Sequence, residues 1–70
     1  MEYRIKQQHR LKGVSYLTPS YANRIEAEAQ LQVTNSANTD IDAVYTVVYG
    51  QFYSQGAENG TFAEFPEPTN

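Results

Sequence analysis

Seventy residues without a cysteine leave room for one small domain, with neither disulfides nor a thiolate metal site to brace it. Apolar content is 40 % and formal net charge −3, with six tyrosines and three phenylalanines carrying much of the burial available. The longest apolar run, 43–49, is broken by Thr46 and falls far short of the ~20 residues that span a membrane. No apolar leader core follows Met1-Glu2-Tyr3-Arg4, so the cytoplasm is the expected compartment.

Residues 2–12 alternate in polarity. Tyr3, Ile5, Gln7, His9 and Leu11 point one way on a strand, and Arg4, Lys6, Gln8, Arg10 and Lys12 the other. Lys12-Gly13 then closes a hairpin to the β-prone run 14–17, glycine supplying the positive φ of the turn.

Residues 18–35 carry two conflicting signals. Ile25, Ala27, Ala29, Leu31 and Val33 alternate strictly with polar residues, as in an amphipathic strand. Local chemistry favours a helix instead: Thr18-Pro19 reads as an N-cap and a first-turn proline, and Leu17 with Ala22 as a hydrophobic staple. The stretch 24–32 is rich in Ala, Glu, Gln and Leu, and Asn35 to Asn38 form a stop. A helix over 19–34 is therefore expected, burying Ile25, Ala29 and Val33.

The segment 43–54 is the firmest strand, built from β-branched and aromatic residues. Both its faces are apolar, which predicts a central position with Val44, Val47 and Val48 least exposed. Gly50 within it signals a bulge or a close approach. A loop over 55–60 leads to a return strand at 61–65, and Pro66 to Asn70 form an acidic, flexible tail. The sum is an α+β domain over 1–65, a two-layer β-β-α-β-β sandwich of an antiparallel sheet and one helix. With 24–34 as a further strand it becomes all-β.

No reactive constellation emerges. His9 is the sole histidine, with no partner in sequence to orient it. The serines lie in no nucleophile motif. Asn38 to Asp42 resembles the start of a calcium loop, but Ala43 stands where glycine is required and Tyr49 where the final glutamate belongs. A glycine-rich phosphate loop is also lacking. The expectation is a protein without catalytic activity, cofactor or metal.

Charge is distributed unevenly. All five basic residues fall within 1–24, which carries +4, while 25–70 carries −7. Arg4, Lys6, Arg10 and Lys12 have even numbers, so one strand would display them as a row. Such a row suits carboxylates on a protein partner, or, as a second candidate, the phosphates of a nucleic acid. Tyr45, Tyr49 and Tyr53 recur at every fourth position and share one strand face, a pattern that interfaces favour. The seven residues together form the expected binding set. They point to a stand-alone protein-interaction module, an inhibitor or adaptor that binds an acidic patch on a larger complex. Size and layout resemble those of phage-encoded inhibitors such as anti-CRISPR proteins, and that likeness extends no further. Self-association, basic face to acidic face, is the third reading.

Overall fold

The computed structural model describes residues 1–53 and 60–68. Its elements are β1 (Glu2–His9), β2 (Gly13–Tyr16), α1 (Arg24–Ala37), β3 (Ala43–Tyr53) and β4 (Thr61–Glu64). The strands form an antiparallel sheet in the order β2-β1-β3-β4. This is the expected small α+β fold rather than the all-β alternative. Most of the expected loop at 55–60, and the end of the tail at 69–70, lie outside the described residues.

The alternation of β1 sets the two faces of the sheet. Pairings of Ile5 with Val47, Gln7 with Tyr45 and His9 with Ala43 gather the odd-numbered residues on one face. Arg4, Lys6 and Gln8 oppose Val48, Thr46 and Val44 on the other. β1 stops at His9, three residues earlier than expected, and residues 10–12 form the turn. Gly13 closes it at φ +89°, a conformation that a side chain would disfavour.

The helix exists, but its start and its buried face differ from expectation. Residues 17–21 are held along β1 instead of entering a helix. The Leu17 N–H donates to the Ile5 carbonyl at 2.8 Å, and Tyr21 and Tyr3 exchange two backbone bonds at 2.8 and 2.9 Å. The cap is Asn23, whose Oδ1 accepts the Glu26 N–H at 2.9 Å. Asn23-x-x-Glu26 is thus a capping pair, and Glu26 also favours the positive end of the helix dipole. From that start, Ala27, Leu31 and Thr34 face the sheet at helical spacing. Ala27 is 0 % exposed, whereas Ile25 is 83 % exposed, and Ala29 and Val33 also face solvent. The reason is space: the odd face already carries the rings of Tyr3, Tyr45 and Tyr49, so a small residue must sit at the closest approach.

β3 lies inside the sheet, yet it is not covered on both sides. α1 packs against the odd face of β1 and β3. Val47 and Val48 are half-buried, but Val44, expected among the least exposed, is mostly exposed on the helix-free face. Gly50 does mark a close approach, because a side chain there would run into the Ala63 carbonyl of β4. Among the described residues, Ile5, Ala27, Ala43 and Phe62 are the only buried apolar ones. The core is thin, as a chain this short dictates.

The sheet curls over its helix-free face. β2 and β4 are its outermost strands. Three strand spacings would hold them roughly 14 Å apart if the sheet were flat. Instead the Tyr16 ring lies 4.9 Å from the Phe62 ring, and the Tyr16 hydroxyl donates to Glu64 Oε2 at 2.6 Å. The twist natural to β-strands favours this curvature. Phe62 is buried beneath it as a second, smaller apolar cluster.

Candidate functional site

The curl decides the fate of the basic residues. Arg4 and Lys6 do share a face, but that face is the concave one, and their side chains are only 12 % and 18 % exposed. Arg4 pairs with Glu2, and its guanidinium lies 4.8 Å over the Phe52 ring and 5.6 Å from that of Phe62. Lys6 Nζ donates to Glu64 Oε2 at 2.8 Å. That ammonium, helped by the Tyr16 hydroxyl, holds the Glu64 carboxyl below its ordinary range. The same contact works in reverse on Tyr16, whose pKa is pushed up to about 12, chiefly by its hydrogen bond to Glu64 and then by burial.

Arg10 and Lys12 stand apart from this pair, in the exposed turn beyond β1. Arg10 reaches Asp42 at 3.7 Å, and Arg24 pairs with Glu67 at 2.9 Å. Lys6, Arg10 and Arg24 thus pair with Glu64, Asp42 and Glu67, so the charge asymmetry of the two chain halves closes on itself within the fold. The Glu67 pairing also ties down the described part of the tail, since Glu67 accepts the Tyr3 hydroxyl at 3.2 Å as well.

The tyrosine row lies on the helix side of the sheet. Tyr45 is half-buried and accepts the Gln7 amide at 2.9 Å. Tyr49 packs on Tyr3 with ring centroids 4.8 Å apart. Tyr53, at the end of β3, is exposed. Packing against other residues, more than display, occupies the first two.

What the fold does display is apolar. At the tip of the sheet, Val14 and Val44 flank Gln8 in one row across β2, β1 and β3. Both are more than half exposed. Ile41 and Leu11, in the adjoining turns, are 96 % and 77 % exposed. Gln8, His9, Arg10, Ile41, Asp42 and Val44 line an open depression there. Arg10 and Lys12 stand beside it, so the tip is an apolar surface with a basic margin. Ile25, Ala29 and Val33 form a second exposed strip along the outer side of α1. The tip was readable in part, since Leu11 sits between Arg10 and Lys12, and Ile41 between Asp40 and Asp42.

Beneath the tip lies a histidine–carboxylate pair that the sequence did not reveal. His9 is buried, and its Nε2 lies 2.9 Å from Asp40 Oδ2. Nδ1 accepts the backbone N–H groups of Leu11 and Lys12, both at 3.1 Å. The ring proton therefore sits on Nε2, which donates to Asp40. Both nitrogens take part in this hydrogen bonding, so the pair braces the turn. Asp40 also accepts the Asp42 N–H at 2.9 Å. That bond first, and the one from His9 second, hold its carboxyl below the ordinary range. The calcium-like residues thus cap one another, with Asn38 Oδ1 accepting the Asp40 N–H at 2.9 Å. Among the described residues, no group of three or more potential ligands is placed to hold a metal ion, and no helix is long and apolar enough to cross a membrane. Comparison with known protein families, curated proteins and solved structures gives no match to this chain.

Proposed function

We propose that this chain is a protein-interaction module, an inhibitor or adaptor, that docks the tip of its sheet on an apolar, acid-rimmed surface of a larger partner. The observation that carries this reading is the exposure of Leu11, Val14, Ile41 and Val44 together at one end of the molecule. Isolated surface apolar residues are ordinary, but several large ones gathered at one end of so small a domain cost solubility unless something covers them. The open depression lined in part by Ile41 and Val44 offers relief for a protruding side chain. Arg10 and Lys12 add charge at the margin, where it acts mainly on encounter rate. A protein partner is favoured over a nucleic acid because Arg4 and Lys6 are engaged in the concave ion-pair cluster. Two turn cations are a short track for a phosphate backbone.

The test is affinity measured on purified partner, once captured and identified, for a set of variants with parallel melting curves. Leu11→Asp combined with Ile41→Asp should abolish binding and leave the fold intact, because neither side chain is buried. Arg10→Glu with Lys12→Glu should slow association most at low salt. Ile25→Asp, on the outer side of α1, should bind as wild type. The reading fails if the tip variants bind normally, and fails in favour of the helix strip if Ile25→Asp alone destroys binding.

A further inference from the structure

The outer surface of α1 carries a groove. Ala27, Leu31 and Thr34 face the sheet, and the packing of the helix is against β1 and β3. At about 3.6 residues per turn, two rows of side chains at every fourth position lie on the opposite side. One row is Ile25, Ala29 and Val33, and the other is Glu28, Gln32 and Ser36. All six are exposed, Ile25 to 83 % and Val33 to 60 %. One open depression lies among Ile25, Glu28, Ala29 and Gln32, and the next among Ala29, Gln32, Val33 and Ser36. The two depressions together are the groove between the rows.

This surface is complementary to itself. The row Ile25-Ala29-Val33 is large, small, large, so turning it end to end preserves its shape. Ridge and groove lie side by side at the same pitch, which is the condition for ridges to pack into grooves. Charge is confined to the first half of the helix, at Arg24, Glu26 and Glu28, and residues 29–37 carry none. An end-to-end reversal therefore sets the charged half of one helix against the uncharged half of the other. A parallel alignment would bring Glu28 against Glu28.

We infer that two copies of this chain associate through α1, antiparallel about a twofold axis at Ala29, with the apolar row of each seated in the groove of the other. This is the packing of two fourth-position ridges, with helix axes crossing at about −50°. Ala29 meets Ala29 at the crossing, where small side chains let the axes approach. Ile25 of each copy lies beside Val33 of the other, and Glu28, Gln32 and Ser36 form a polar margin outside them, as interfaces require. The helix dipoles run opposed, and the contact closes on itself at two copies. One 14-residue helix from each side makes a small interface, below the roughly 1,200 Å² of a standard one, so the dimer is a weak one.

The experiment is sedimentation equilibrium of the full chain from micromolar to millimolar concentration, with circular dichroism melting of dilute samples. A reversible monomer–dimer equilibrium is expected. Ile25→Glu and Val33→Lys should each weaken it roughly tenfold or more, since each places a charge in the apolar centre of the contact. Neither should lower the melting temperature of the dilute chain. Both side chains are exposed, and glutamate near the start of a helix and lysine toward its end suit the dipole and exceed β-branched residues in helix propensity. The double variant should recover much of the lost affinity, because the antiparallel register brings the two opposite charges together across the contact. A single-chain mass up to millimolar concentration overturns the inference. So does a dimer that either single substitution leaves intact, or a double variant no tighter than the single ones. Leu11→Asp with Ile41→Asp, at the tip of the sheet, should leave the dimer unchanged, and its loss there would move the contact to the tip. The dimer and tip-mediated binding thus fail separately.

Discussion

Replacing Ala27 or Ala29 with aspartate sets the rotation of α1 against measurement. Ala27 has no exposed surface and faces the sheet, while Ala29 faces solvent. A domain of this length has a total stability of roughly 4–10 kcal/mol. Aspartate at 27 adds atoms to a packed contact, about 1–3 kcal/mol, and leaves a buried polar group without a partner, about 1–3 kcal/mol even when protonated. Ionisation at neutral pH adds further cost, because the charge loses its water. The sum reaches half or more of the stability, so Ala27→Asp should be largely unfolded or melt far lower. Its defect should ease in acid, where the carboxyl is neutral in both states. Aspartate at 29 loses only helix propensity and meets Glu26 one turn earlier, together about 1 kcal/mol. Urea unfolding followed by far-ultraviolet circular dichroism at neutral pH measures both. Equal damage would refute a helix here, because 27 and 29 share a face only in a strand. Greater damage at 29 would refute the rotation and return Ile25, Ala29 and Val33 to the core.

Two further outcomes follow from the polar contacts. Tyrosinate absorbance should show Tyr16 titrating near pH 12 in the folded chain and closer to its ordinary value of 10 in Glu64→Gln. Because the folded value is raised, the stability linked to Tyr16 is complete below its ordinary value and is lost as pH climbs toward the folded one. Ordinary titration of Tyr16 in the wild-type chain would mean that β2 and β4 do not meet in solution. Asp40 and Glu64 have the opposite sign: their lowered values contribute stability above the ordinary carboxylate range, lost as pH falls below that range. Asp40→Asn and Glu64→Gln should each flatten the acid limb of the stability curve, and an unchanged limb in both would count against these contacts. His9→Ala strips the acceptor from two turn amides and should cost about 1–3 kcal/mol. Faster exchange confined to the Leu11 and Lys12 amides is the expected signature, and unaltered exchange there would show that His9 does not hold the turn.

Local pattern determined the elements. Alternation placed β1 with its faces correctly sorted, Gly13 located the turn, and a β-branched, aromatic run located β3. The composition of 24–32 was enough to choose helix over a strict strand alternation, because side-chain propensity acts within a few residues. The capping pair Asn23 and Glu26 was also present in the sequence, but it competed with the equally regular Thr18-Pro19. Only the pairing of residues 17–21 along β1 decided between them. The buried side of α1 was likewise undetermined, since Ile25, Ala29 and Val33 offer one apolar side and Ala27 with Leu31 another, each at helical spacing. The crowd of rings on the sheet selected the stripe with Ala27. The basic row is the larger lesson. Its common face was correctly read from Arg4 and Lys6, yet whether that face meets solvent depends on curvature. Lys6 finds Glu64, 58 residues away, because the strand order puts β4 beyond β3 and the curl folds it back. Strand order and curvature arise from the whole sheet closing on its own side chains. No window of sequence a few residues wide contains them, so exposure of the site was decided by the tertiary structure alone.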